Sequence, residues 1–552
     1  MTNKAQRLEN SLGSIQEMSS SIISDDELEA FPSEVNVLID DQCFLEEIIP
    51  GSEGGNLEDL CSLLEVSRVL SRRNLTTAIA VGQTFLGSIP VWIAGTVEQK
   101  SRLAEILRSG GLNCLALTEE LYGSDLQSNQ VSIVAADNNE YRLNGEKWCI
   151  NNATKGEAMS LFVRSNVGGG GKGFSMLFVD KAAIDPTTFT GIPKIKTHGL
   201  RGADISGIRY NNALIPRDFL LGKEGGGLNL ALKTLQFSRT LCAGFSLGAA
   251  DTSLRLTTQF ALDRELYGAP AISIGSVRDK LAKSYRSILL AEAMAWIMTR
   301  ACTLIPEQLS VYSAVVKYFV PKTMDDLIQQ CSVVIGARGY IREGQYALFQ
   351  KMKRDHAVVS LFDGSSEVNL YVICGQLRNQ LKQKANKKSY TIPWKALYDL
   401  SVDAPKFEGE GQKLSSRGND FIWEGLFELL NETEEDLSSM LEFLASGHRQ
   451  LTADMELLTD TVDQMDSSLF DLAKRYCELT AQALYVQFWH YNKSHFFSES
   501  MKDIAWLKNI ISNKCSADMV QDNEVMMSLL VEQTQANKRY SHIGFDVDIR
   551  LP

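Results

Sequence analysis

The chain has 552 residues, 44% hydrophobic and 22% charged, with a formal net charge of −13. That length exceeds what one hydrophobic core serves and calls for several domains. The acidic balance excludes nucleic acid as a general partner, because phosphate contacts need a basic surface, and it disfavours an acidic membrane surface.

Residues 1–25, rich in Ser, Asn and Gln, read as a flexible leader. Over 26–113 apolar residues such as Leu60, Leu63, Leu64, Val69 and Leu70 recur at helical spacing, so an α-helical domain is expected there. Short β-branched runs follow, among them Val131–Val134, Ser160–Val163 and Phe174–Val179, with Asn144-Gly145 and similar pairs between them. They predict a small antiparallel β-domain over 114–222. Helical periodicity returns over 223–382 and predicts a bundle. A polar stretch with Pro393, Pro405 and Gly409 to Gly411 marks 383–419 as a linker. Residues 420–552 read as a further helical extension, with Leu429, Leu430, Leu437, Leu441, Phe443 and Leu444 in one stripe. The fold class is therefore α+β.

Ten scattered cysteines without metal or redox spacing read as reduced thiols, and the six histidines show no ligand spacing, so no metal site is expected. The polar N-terminus lacks the features of a signal peptide, and no uninterrupted apolar run is long enough to span a bilayer. A cytoplasmic location without a membrane span is the expectation. Gly168 to Gly171 before Lys172 lacks the full phosphate-loop spacing and reads as a hairpin loop. The aromatic stretch Tyr485, Phe488, Trp489, Tyr491, Phe496 and Phe497 reads as core or subunit contact.

Three stretches carry chemistry. Ala116-Leu117-Thr118-Glu119 closes with Gly123-Ser124-Asp125. Arg264-Glu265-Leu266-Tyr267-Gly268 lies in the bundle. Met352-Lys353-Arg354-Asp355-His356 precedes Phe362-Asp363-Gly364-Ser365-Ser366-Glu367 and an apolar helix. In this order and at these separations they resemble the acyl-CoA dehydrogenase family over residues 40–380. The resemblance implies FAD, an acyl thioester on coenzyme A or an acyl carrier protein, and an electron acceptor that is electron-transfer flavoprotein or oxygen. It also implies a homodimer or dimer of dimers. The chemistry is desaturation between Cα and Cβ: a carboxylate removes the α-proton and the flavin accepts hydride from the β-carbon.

The resemblance makes Asp363 the base, where the family usually has Glu. Asp is shorter by one C–C bond, about 1.5 Å. A turn followed by a helix N-cap is the alternative for Phe-Asp-Gly-Ser-Ser. Some family members carry the base just before an Arg on an earlier helix, but that place holds Ser238, before Arg239. Arg239, Gly364 and Ser124 are implied to meet substrate. Leu117, Thr118 and Ser124 would meet the cofactor, as would Arg264, Tyr267, Ser365 and Glu367. Gly336, Arg338 and Gly339 would cover FAD held by Arg264 of a neighbouring chain.

The family's flavin-facing strand reads Trp, Ile, Thr, Asn; here it is Trp148-Cys149-Ile150-Asn151-Asn152. In direct register Cys149 and Asn151 take the places of the Trp and of the Thr that donates to flavin N5. Trp148 would then face the other side of the strand unless a β-bulge brings it round. Such departures favour a specialised enzyme over a housekeeping one. They leave open another flavin oxidase on this fold, as in nitroalkane oxidase with its Asp base, or a catalytically silent scaffold. A basic cluster at Arg378, Lys382, Lys384, Lys387 and Lys388 reads as a solvated linker or as a steering patch for the thioester carrier.

Overall fold

The computed structural model describes residues 3–40, 44–383, 391–432, 435–459, 462–463, 466–511 and 523–543. Lys384, Lys387 and Lys388 of the basic cluster lie outside them. The N-terminal region comprises α1 (Asn3–Ser11), α2 (Ile15–Glu27), α3 (Ser33–Asp40), α4 (Leu60–Arg73), α5 (Leu75–Ala94) and α6 (Val97–Arg108). A sheet follows, built from β1 (Asn113–Ala116), β2 (Ser132–Ala136), β3 (Glu140–Asn151), β4 (Ala158–Arg164), β5 (Phe174–Asp180), β6 (Phe189–Ile192) and β7 (Ile205–Pro216). Its strand order is β1-β4-β2-β3-β7-β6, with β5 on β4. The pairing is mixed, because β1 runs parallel to β4. The Gly168–Gly171 stretch lies in the connection between the antiparallel pair β4 and β5.

The bundle holds α7 (Gly227–Leu241), α8 (Ala243–Asp263), α9 (Gly275–Leu304), α10 (Leu309–Ile335), α11 (Ala347–His356) and α12 (Ser366–Gln383). A short hairpin, β8 (Glu265–Leu266) with β9 (Ala269–Pro270), follows α8. Helix α8 lies hard against α4. A Cβ on Gly248 would stand 2.0 Å from Ser71 Oγ and 2.6 Å from the Arg68 carbonyl, so only glycine permits this approach. Helices α5 and α9 are long and apolar enough to cross a membrane by length and composition alone, although polar or charged residues interrupt both. Each apolar window is 78% buried inside the protein, which accounts for its composition.

Two expectations are corrected. The supposed leader forms α1 and α2, and Ala5 and Leu8 are buried. Glu9 is fully buried and accepts from Arg72 at 2.8 Å and Arg73 at 3.0 Å. Buried guanidinium groups need carboxylates, so two arginines of α4 fix a segment whose own polar sequence gives no sign of order.

The supposed linker, in its described part, is a strap on the bundle. It contains α13 (Trp394–Tyr398), and Leu397 and Tyr398 are fully buried. Arg300 of α9 donates to the carbonyls of Ala396, Val402 and Asp403. Gln236 of α7 donates to the Lys413 carbonyl at 2.8 Å.

The extension comprises α14 (Phe421–Glu432), α15 (Glu435–Thr459), α16 (Ser467–Asn492), α17 (Ile504–Ile511) and α18 (Asn523–Gln535). At its joint with the bundle, the Asp420 carboxylate accepts from Tyr312 of α10 and from Tyr476 of α16. Burial pushes its pKa up to about 6. The chain then returns to α4 and α9. Arg539 pairs with Glu65, Arg68 donates to the Tyr540 carbonyl at 2.9 Å, and His542 lies between Glu292 and the Tyr485 hydroxyl. Tyr485, Phe488, Trp489 and Phe496 of the aromatic stretch are buried in this core.

Removing one member of a buried ion pair typically costs about 3 kcal/mol or more. Glu9→Gln is therefore expected to lower stability by about that amount in chemical denaturation, whereas a frayed leader would tolerate the change with no measurable loss.

Candidate active site

The loop between α11 and α12 is held from several sides. Asp355 of α11 accepts from the Leu200 N–H at 2.7 Å, from Thr76 Oγ1 at 3.0 Å and from Lys351 at 2.5 Å. Arg354 reaches Asp26 of α2 at 2.5 Å and donates to the His198 carbonyl at 3.0 Å. Asp325 of α10 accepts from Ser360 and contacts His356 Nδ1 at 2.6 Å. These contacts deliver Asp363 and Gly364 in left-handed backbone, with φ of 54° and 97°. Arg239 Nε of α7 donates to the Asp363 carbonyl at 3.0 Å, and a Cβ on Gly364 would stand 3.0 Å from the Arg239 guanidinium.

Asp363 is half-buried and lines a narrow pocket with a cavity volume of about 50 Å³. The other walls come mainly from α4 and α5 (Leu63, Leu70, Val81, Phe85) and from the α7–α8 junction (Leu241, Phe245), so the lining is mostly apolar, with Ser67, Gln83 and Ser238 as its neutral polar members. Burial raises the Asp363 pKa above the usual carboxylate range, and Lys317, the Ser238 hydroxyl and Arg239 oppose that rise. Ser238 thus meets the carboxylate instead of replacing it. Ser365 Oγ accepts from the Val368 N–H at 3.4 Å, and Glu367 is exposed in the first turn of α12, so the N-cap reading holds locally as well.

A second group of residues gathers along β3. Between Lys147 and Ile150 the pairing of β3 with β7 slips by one residue, the signature of a β-bulge. The extra residue lets Lys147 and Ile150 both turn to the buried side, at 0% and 4% exposure. Trp148, Cys149 and Asn151 are thereby left together on the opposite side. Cys149 takes the extra turn, with φ of 58°, and is exposed. The Trp148 N–H donates to the Thr118 carbonyl at 3.1 Å. Leu117, Thr118, Trp148 and Asn151 therefore share one site.

Lys147, which sequence reasoning passed over, holds this site together. Its ammonium donates to the Leu117 carbonyl at 2.8 Å, to Glu119 at 2.9 Å and to Asn129 at 3.1 Å. Glu119 also accepts from the Gln130 and Val131 N–H groups. Burial draws Lys147 down to about 8 despite the Glu119 charge. The only hint in the sequence was a lysine inside a strand pattern.

The same face leaves a polar edge open. Both polar atoms of the Asn151 amide are buried without a partner in the protein. A planar heterocycle with donors and acceptors along its edge would satisfy them.

Arg264 and Tyr267 stand elsewhere. Arg264 caps the far end of α8, whose near end carries Phe245 of the pocket. At 1.5 Å per residue these lie about 28 Å apart. Both Arg264 and Tyr267 are exposed, as are Ser124, Gly336 and Arg338, while Gly339 is buried against Phe349. Tyr346 packs edge-on against Phe260 of α8 at 5.6 Å and feels the charges of both Asp263 and Arg338. The Arg264 turn and the Gly336–Gly339 stretch thus share one corner of a single protomer.

Residues 114–213 match the middle domain of acyl-CoA dehydrogenases, and residues 225–377 match their C-terminal domain. The chain thus carries the middle and C-terminal domains of the acyl-CoA dehydrogenase family, FAD-dependent oxidoreductases. Among its relatives, a probable acyl-CoA dehydrogenase of Bacillus subtilis, YngJ, is 29% identical over 335 residues, covering 59% of this chain and 84% of that protein. The FAD complex of an acyl-CoA dehydrogenase from Bacillus anthracis superposes with a TM-score of 0.73 at 19% identity. That match covers 97% of this chain and 88% of the other, so it takes in the C-terminal extension. The prolyl acyl carrier protein oxidase AnaB shares the fold over 68% of this chain and 99% of its own, with a TM-score of 0.59 at 19% identity.

Lys147→Met leaves Glu119 buried without its cation, a change that typically costs about 3 kcal/mol or more. The variant is expected to melt earlier and to lose FAD about tenfold more readily on dilution, read from free-flavin fluorescence. Unchanged FAD retention would detach Lys147 from the cofactor edge.

Proposed function

We propose that this protein oxidises the Cα–Cβ bond of an acyl thioester, with Asp363 as the base that takes the α-proton. The observation that carries this reading is the pocket, in which one carboxylate faces a mostly apolar enclosure. An acyl chain gains from burial there, and the thioester α-carbon is presented to the only acidic group among the pocket's lining residues. Asp363 lines the pocket despite the missing methylene, which supports its assignment as the base. Its raised pKa suits proton removal, since a stronger base gains more from taking the proton. Arg239 ties down the Asp363 carbonyl and so fixes where the base sits.

Leu117, Thr118, Trp148 and Asn151 would hold the flavin ring, beside the exposed Cys149. FAD, when bound, accepts the hydride from the β-carbon. Arg264, Tyr267, Gly336 and Arg338 stand too far from Asp363 to serve the same flavin ring, so we assign them to the cofactor of a partner chain in a homodimer. Ser124, exposed in the loop after Thr118, is assigned to the open edge of the substrate site together with Gly364. The departures along β3, and the shared fold with AnaB, favour a specialised thioester carried on coenzyme A or on a carrier protein.

Anaerobic mixing with a panel of acyl-CoA and acyl-carrier thioesters should bleach the flavin band near ~450 nm. Bleaching by nitroalkanes alone would favour the nitroalkane-oxidase reading, and a colourless, FAD-free protein would favour the scaffold. Asp363→Asn is expected to keep FAD and slow bleaching by about 10²–10⁴-fold. In the parent protein the bleaching rate should rise with pH as Asp363 ionises, with a midpoint above that of an ordinary aspartate. Retention of full activity in Asp363→Asn would remove Asp363 from the mechanism.

The two-chain site has its own test. Asp363→Asn and Arg264→Ala homodimers should each be inactive. Unfolding and refolding them together at equal amounts should restore about a quarter of the parent sites, because half the dimers are mixed and each mixed dimer holds one intact site. No recovery from mixed dimers shown to form would place both residues on one chain's site.

A further inference from the structure

Lys317 is a lysine at 1% exposure in the middle of α10, and the reaction as derived above does not use it. Burying an ammonium is costly unless something needs the charge. Its Nζ donates to the Val359 carbonyl and lies 4.1 Å from the centroid of the Phe362 ring. Val359 and Phe362 bracket the turn that ends in Asp363. Eight residues further along α10, Asp325 grips the same turn through His356 and Ser360. Helix α10 thus holds the loop at two places, and Lys317 is the nearer of the two to Asp363.

The surroundings of Asp363 narrow the possibilities. The charged or titratable groups that face its carboxyl are Lys317 from α10, Arg239 from α7 and the Cys242 thiol at the α7–α8 junction, with the Ser238 hydroxyl beside them. Burial pushes Cys242 up, so it stays neutral. Arg239 spends its Nε on the Asp363 carbonyl. Lys317 has the largest opposing influence on the carboxyl after burial itself.

We propose that Lys317 is a positioning residue for the reaction, which holds the left-handed Asp363 loop in place and keeps the base ionised in an apolar pocket. The proposal rests on Asp363 being the base. It adds that this short carboxylate depends on a cation from a helix outside the three sequence motifs. A lysine that merely fills space would support the fold and leave the titration of Asp363 untouched.

Lys317→Gln separates these roles, because the amide can still donate to the Val359 carbonyl but carries no charge. Flavin bleaching by a thioester that reduces the parent protein should be followed against pH. The midpoint is expected to move up by about one pH unit, with an about tenfold slower rate on its acid side and full FAD content. Lys317→Arg should restore the parent midpoint.

A second readout needs no turnover. The infrared band of the protonated Asp363 carboxyl, identified in the FAD-loaded protein by its loss in Asp363→Asn, should persist to higher pH in Lys317→Gln. An unchanged midpoint and band would overturn the proposal. So would failure of Lys317→Gln to fold while Lys317→Arg folds, which would assign the lysine to stability. If Asp363→Asn itself keeps full activity, the base assignment has failed, a result distinct from either of these.

Discussion

The backbone at Asp363 is left-handed, a conformation that a non-glycine residue adopts only at a cost of about 1–3 kcal/mol. Much of the catalytic half of the molecule is arranged around maintaining it. Arg239 takes hold of the residue's own carbonyl, and Lys317 and Asp325 clamp the turn before it. One step back, Asp355 ties α11 to the Leu200 N–H of the β6–β7 loop and to α5. The loop is a junction at which α5, α7, α10 and the β-domain meet. Strain at such a place persists because neighbouring contacts over-determine it, and the result is a carboxylate aimed into an apolar pocket.

The same economy of buried charge joins the outer parts of the chain to the bundle. Helix α4 presents Glu65, Arg68, Arg72 and Arg73 in succession. The first two of these meet the C-terminal Arg539 and the Tyr540 carbonyl, and the last two meet Glu9 of α1. Both ends of the described chain are thus secured on one helix by ion pairs that no local pattern announces. At the joint with the extension, Asp420 serves two tyrosines from different layers. Such pairs contribute specificity of docking more than net stability, because desolvation offsets much of their attraction.

The bulge in β3 shows how a single residue of register reshapes a site. Without it, strict alternation would send Trp148 and Asn151 to opposite faces. With it, Lys147 and Ile150 share the buried side, and Trp148 joins Asn151. The departure from the family strand is accommodated by backbone geometry and not by a new set of side chains. Lys147 then ties the strand to the Leu117–Thr118 segment, so the proposed flavin face is built from two sequence stretches bound by one buried ammonium.

The sequence by itself determined the order of helical, β and helical regions, because apolar periodicity is local and survives without knowledge of partners. It also determined the family, through short motifs whose residue types and separations are read directly. What it missed has one cause. The order of residues 3–27, the strap over 391–419 and the burial of Lys147 and Lys317 all depend on groups distant in the chain. Only the tertiary structure brought Arg72 to Glu9, Arg300 to the carbonyls of the strap, and α10 to the Asp363 loop. Only it showed that Arg264 stands a helix length from the pocket. Long-range burial and charge pairing leave almost no trace in local composition, because a buried lysine or glutamate looks the same in sequence as an exposed one.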